Sequence, residues 1–202
     1  GNGKSISKMY ANNSITGGGL FGILREQAVV RKLVVRESDL LVDVGTGVLA
    51  RYNEGKIYRC VLENNKLKAN HAYTGGIVGI NNGKIIECLN KGCDLEGENS
   101  KDIAIGGIAG ANGCIDNRHD ITYEKDTGYI ERCFSSGIIT DSEAGAIASH
   151  NGVYGGEGYI YDCYSNASIN SSSGNGSIVL IQSYHGKGGY MFNSYYLNTQ
   201  CN

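Results

Sequence analysis

Residues 75–92 read GGIVGINNGKIIECLNKG, and the fold turns on what that stretch is. Taken alone, it fits a glycine loop that cradles phosphate, a metal site containing a cysteine, or one line of a repeated scaffold. The rest of the chain decides between them. EGKIYRC (54–60), NGKIIEC (82–88), TGYIERC (127–133) and EGYIYDC (157–163) are the same phrase, and GGYMFNS (188–194) is a worn copy. AVVRKL (28–33) and GKSISKM (3–9) keep its apolar spacing upstream. A second phrase precedes the copies: GGLFGI (18–23), TGVLARYN (46–53), GGIVGIN (75–81), GGIAGAN (106–112), GAIASHN (145–151) and GSIVLIQ (176–182). A weaker apolar position follows the cysteine at Leu67, Leu95, Ile139 and Ile169.

Between successive cysteine positions the chain takes 24, 27, 28, 45, 30 and 31 residues. Self-similarity at such periods marks a solenoid or related repeat array. The long interval has a local cause, an inserted loop at about 113–127, and a smaller insertion falls at 152–157. Each phrase is short, β-rich and bounded by Gly, Asn or Ser, which reads as strand and turn. No stretch sustains helical spacing with caps. Two or three strands per period predict one coil of a parallel β-solenoid, in which each coil buries its apolar side only by stacking on its neighbours. We therefore expect an all-β, right-handed parallel β-helix of about seven coils, a single repeat domain over residues 1–202. Equivalent residues should pile into columns about 4.8 Å apart. One column is Ile6–Val30–Ile57–Ile85–Ile130–Ile160–Met191, and another is Met9–Leu33–Cys60–Cys88–Cys133–Cys163–Ser194. Asn53, Asn81, Asn112 and Asn151, with Gln182, form an amide column. Because residues 3–9 already stand mid-coil, the chain is expected to be a fragment of a longer protein.

Composition narrows the function. Lys plus Arg number 18 against 20 acidic residues, so no clustered positive charge calls for nucleic acid. No run of 18 apolar residues predicts direct membrane insertion. The recurring glycines lead into another strand rather than a helix, which argues against a nucleotide fingerprint. None of the seven cysteines makes a C-x-x-C pair. The cysteine position also accepts Met, Leu and Ser, which suits a small buried side chain rather than a ligand set. No metal and no cofactor are expected.

The phrase GGIVGINNGKIIECLNKG resembles the GLUG motif, a repeat of bacterial secreted and surface proteins, and the opening GNGKSISKMY…GGGLFGIL resembles the lead into such arrays. The resemblance covers essentially the whole chain, with departures at GTGVLARYN and GNGSIVLIQSYHGKGGYMFNS. It implies an extracellular or cell-surface location on a bacterium and an adhesin-like or scaffolding role, with no catalytic residues to carry over. The expected function is a non-enzymatic module for adhesion, ligand presentation or a structural stalk. Partners would be a host or environmental glycan or protein, together with other domains of the same polypeptide. The alternative is a polysaccharide-active β-helix enzyme, a lyase or glycosidase. Candidate ligand-binding residues are Asp116, Arg118, His119 and Asp120 in the inserted loop, where solenoids collect recognition. Tyr129, Tyr159 and Tyr190 share one coil position and predict an outward tyrosine column.

Overall fold

The computed structural model describes residues 3–12, 19–42, 45–70, 72–97, 103–115, 122–141, 143–171, 177–183, 185 and 187–197. These residues are strands and turns arranged in three sheets, of 11, 8 and 6 strands, and every pairing between strands is parallel. Among the described residues no helix is long and apolar enough to cross a membrane. The third sheet counts the turns of the solenoid. Its six strands are Val29–Arg31, Lys56–Tyr58, Lys84–Ile86, Thr127–Glu131, Glu157–Tyr161 and Gly188–Phe192, stacked in that order.

The registers reproduce the columns that the repeat predicts, with one exception. Val30, Ile57, Ile85, Ile130, Ile160 and Met191 are successive partners. Ile57, Ile85, Ile130 and Ile160 are completely buried in one continuous core. Leu40, Leu67, Leu95, Ile139 and Ile169 form a second interior line. The exception is GKSISKM. Its strand Lys4–Ser7 pairs with Leu33–Arg36, so Ile6 lies beside Val35 and Leu62 in the first sheet and not below Val30. Met9 moves with it, its carbonyl accepting from the Asp39 amide, and it leaves the cysteine column. An apolar pair three residues apart does not say which sheet a strand joins. The third sheet accordingly has six rungs where seven coils were expected.

The corner between second and third sheets explains why Asn and Gly recur together. Asn53 Nδ2 donates to Asn81 Oδ1, Asn81 Nδ2 to Asn112 Oδ1, and Asn112 Nδ2 to Asn151 Oδ1, each at 2.8 Å. All four amides are fully buried. A buried amide is tolerated only when its polar atoms are bonded, and stacking identical amides satisfies each with the next. Below Asn53 the column holds Leu24, which has no donor to offer, and Asn53 Oδ1 is left without a partner among the described residues. The glycine makes room. A Cβ on Gly158 would sit 2.2 Å from Asn151 Oδ1, and one on Gly128 would sit 2.4 Å from Asn112 Oδ1.

The next corner, between third and first sheets, turns through residues that are not glycine. Lys32, Arg59, Glu87, Arg132, Asp162 and Asn193 all adopt φ between 45° and 52°. The residue after each is the cysteine-column residue. This left-handed conformation is costly for a side-chain-bearing residue, so tertiary pairing on both sides must hold it. Cys60, Cys88, Cys133 and Cys163 then point inward and are buried free thiols. Burial pushes the Cys133 and Cys93 thiols up from their ordinary value, which suppresses the reactive thiolate.

Two outcomes follow from this interior. In a Cys201→Ser background, a thiol reagent should find no reactive cysteine in native buffer and all six remaining ones in denaturant; ready native labelling would contradict a dry cysteine column. Ile130→Ala should cost about 2–5 kcal/mol by denaturant unfolding, as expected for a deleted core side chain.

Candidate ligand-binding face

Side chains alternate across a strand, so the residues flanking Val30, Ile57, Ile85, Ile130, Ile160 and Met191 point outward. One flanking column is Val29, Lys56, Lys84, Tyr129, Tyr159 and Tyr190; the other is Arg31, Tyr58, Ile86, Glu131, Tyr161 and Phe192. The predicted tyrosine column exists. The rings of Tyr129 and Tyr159 stack at 5.1 Å with planes 8° apart, and those of Tyr159 and Tyr190 at 5.0 Å and 18°. Tyr161 stacks on Phe192 at 5.2 Å and lies 5.9 Å from Tyr159, with the two ring planes 6° apart. The aromatic patch therefore covers both outward columns at the far end of the sheet, and the sequence reading had only one of them. Near the other end the columns carry cations. Lys84 Nζ lies 5.4 Å from the Tyr129 ring, and Lys56 Nζ lies 5.2 Å from the Tyr58 ring.

The interior holds this surface in place. Asn81, Asn112 and Asn151 each place Nδ2 within 3.2–3.3 Å of a carbonyl one rung up, namely those of Tyr129, Tyr159 and Tyr190. The buried amide ladder thus fixes the backbone of the tyrosine ladder. Ring-on-ring stacking spends the ring faces on each other and leaves ring edges and hydroxyls facing outward. The Tyr159 hydroxyl donates to Glu157 Oε1 at 2.9 Å, and this bond is the first cause of a pKa pushed up to about 12. Tyr159 stays neutral at physiological pH.

Among the described residues, a pair of hollows along the face shares Lys84 and Tyr129. The larger, about 460 Å³, runs between the lysine column and the end of the inserted loop, with Gly55 and Gly83 on its floor and Glu26, Lys125 and Asp126 on its wall. The smaller, about 360 Å³, lies between the outward columns and is lined by Lys84, Ile86, Tyr129, Glu131, Tyr161 and Asp162.

The loop wall is anchored by Glu54, a residue the sequence reading did not single out. Its carboxylate is buried and accepts from Arg25 Nη1 at 3.0 Å, Tyr52 Oη at 3.0 Å, the Lys125 amide at 3.1 Å, and the Glu124 amide. Burial pushes this carboxyl up, but the Glu124 amide, Arg25, Tyr52 and the Lys125 amide together hold it below the usual range. Asn82 completes the joint: Nδ2 donates to the Cys114 and Lys125 carbonyls and Oδ1 accepts from the Cys114 amide, each at 2.8 Å. Tyr123 packs edge-on against Tyr52 at 5.2 Å. Lys125 pairs with Glu26 at 2.9 Å, and Lys187 pairs with Asp126. The only sequence hint of this joint was that Glu54 and Asn82 occupy the same place before the glycine of successive phrases.

Asp116, Arg118, His119 and Asp120 lie outside the described residues. Among the histidines, His150 is buried beside Tyr73, with ring centroids 5.2 Å apart, and its Nδ1 is 3.1 Å from Ser149 Oγ. Among the described residues no group of three or more His, Cys, Asp or Glu is placed to hold a metal ion. Compared with known proteins, the chain matches no family model, no curated protein and no solved structure.

Glu54→Ala should release the loop end. We expect a loss of about 1–3 kcal/mol, because buried donors lose their acceptor, and faster tryptic cleavage at Lys125. Glu54 has a lower pKa folded than unfolded, so its contribution is complete above the unfolded value and disappears as pH falls through the folded one. The stability gap between parent and variant should therefore narrow below the ordinary carboxylate range; a pH-independent gap would contradict the anchoring role.

Proposed function

We propose that this chain is a non-catalytic β-solenoid module of a bacterial secreted or surface protein, and that it binds a glycan along the outer face of its third sheet. The observation that carries this reading is the ladder Tyr129–Tyr159–Tyr190, flanked by Tyr161 and Phe192, on a rigid exposed sheet beside two hollows. Tyrosine combines an apolar ring with a polar tip, which suits contact with sugars or protein. A stack of equivalent rungs offers the same groups again every 5 Å or so. A polymer of repeating, hydroxyl-rich units meets such a surface in register, whereas a folded protein partner carries no such repeat. A preformed ladder also loses little conformational freedom on binding, which favours affinity.

The secreted, surface-exposed setting rests on the resemblance of GGIVGINNGKIIECLNKG to the GLUG repeat. In that setting the buried cysteines would be protected from oxidation by their place in the core.

A glycan array probed with the whole chain tests the reading. Binding should be lost by about tenfold or more in Tyr159→Ala, since truncating a tyrosine at the centre of an interface commonly costs more than about 1 kcal/mol, while unfolding by denaturant shifts little because Tyr159 lies outside the core. Chain scission of a bound polysaccharide, abolished by His119→Ala, would overturn the non-catalytic reading in favour of a lyase or glycosidase.

A further inference from the structure

We infer that the groove along the third sheet takes an acidic glycan, whose carboxylate or sulfate groups are received by Lys56 and Lys84 on adjacent rungs while its sugar units run onto the tyrosine ladder. The inference rests on the glycan reading above and adds the charge class and the residues that select it.

Charge accounting around the larger hollow carries it. Three carboxylates line the hollow, those of Glu26, Glu54 and Asp126. Each already has a cation: Lys125 for Glu26, Arg25 for Glu54 and Lys187 for Asp126. Two lining cations remain, Lys56 and Lys84. Neither has an acidic partner among the described residues; each instead lies over a tyrosine ring. They are register partners on neighbouring rungs, so their side chains leave the sheet one rung apart along the solenoid axis. Gly55 and Gly83 also line the hollow, each packed so closely on the rung beneath that a Cβ would sit 2.4 Å from the Ala28 carbonyl oxygen or 2.3 Å from that of Gly55. The hollow is also of a size that accepts sugar units, at about 460 Å³.

The two ends of the face are not equivalent. Lys84 and Tyr129 line both hollows, so the cationic stretch passes directly into the aromatic one. Beyond Tyr129, Glu131 of the smaller hollow is neutralised by Arg132, and the exposed Asp162, which has no cation partner among the described residues, disfavours a second anion there. An acidic chain would thus place its charges over Lys56 and Lys84 and a less charged stretch over Tyr159 and Tyr190. Opposite charge across a partly enclosed site contributes more to selectivity and on-rate than to raw affinity.

Titration calorimetry of the whole chain tests this with three probes: a galacturonate hexasaccharide, its fully methyl-esterified form, and a sulfated heparin-derived hexasaccharide. Lys56→Gln/Lys84→Gln removes both charges from exposed side chains, and Lys68→Gln, on the first sheet and paired there with Glu96, is the control. We expect at least one charged probe to bind about tenfold more tightly than the ester. That preference should weaken with rising ionic strength. It should vanish in the double variant and persist in the control. Preference for galacturonate identifies carboxylate as the anion, and preference for the heparin fragment identifies sulfate. Equal binding of ester and charged probes, or a double variant that keeps the preference, overturns the inference and leaves the glycan reading standing. No binding of any probe here and none on the array removes both.

Discussion

Parallel, in-register stacking of rungs is the constraint on which the rest of this molecule depends. A single coil of some thirty residues has too little apolar surface to form a core, and each coil leaves its backbone edges unpaired. Stacking solves both problems at once. It aligns Ile57, Ile85, Ile130 and Ile160 in one line and gives each inner strand of the third sheet two neighbours. The same operation turns one outward tyrosine into a ladder and one buried asparagine into a hydrogen-bonded column.

Inside and outside are mechanically joined through that asparagine column. Asn81, Asn112 and Asn151 pair with each other along the axis and reach the tyrosine carbonyls of the following rung. Gly128 and Gly158 are needed because a Cβ there would collide with the amide oxygens of Asn112 and Asn151. A polar interior ladder of this kind is costly if interrupted, since every broken link leaves two buried groups unpaired. It also fixes register, because a slip by one residue would bring an apolar side chain against an amide. Rigidity of the outer face is therefore a consequence of how the corner is built.

The inserted loop adds what a uniform repeat cannot provide. A solenoid of identical rungs has a flat face, and a flat face selects poorly. The chain from Thr122 to Asp126 returns along the stack to Arg25, Glu26 and Glu54, coils that are far from it in sequence, and it raises one wall of a groove. Glu54 serves as its latch because four donors converge on one buried carboxylate. The same pairings neutralise the acids on the wall and leave Lys56 and Lys84 as the unbalanced charge.

By itself the sequence determined the repeat, its strands, the inserted loop, the isoleucine, cysteine and amide columns, and the outward position of Tyr129, Tyr159 and Tyr190. These were legible because stacking forces equal phase to mean equal place, so a pattern along the chain is a pattern in space. Three matters were decided only by tertiary structure. The strand Lys4–Ser7 joined the first sheet, because spacing within a strand is the same in every sheet and pairing alone says which one it enters. Tyr161 and Phe192 joined the aromatic patch, because ring placement brings Tyr161 beside Tyr159 on its own strand and onto Phe192 of the next rung, and spacing alone does not say how rings are oriented. The Glu54 latch and the two-lysine groove arose because the loop folds back over rungs 70 or more residues away in sequence, where ion pairs form between groups that share no phase of the repeat.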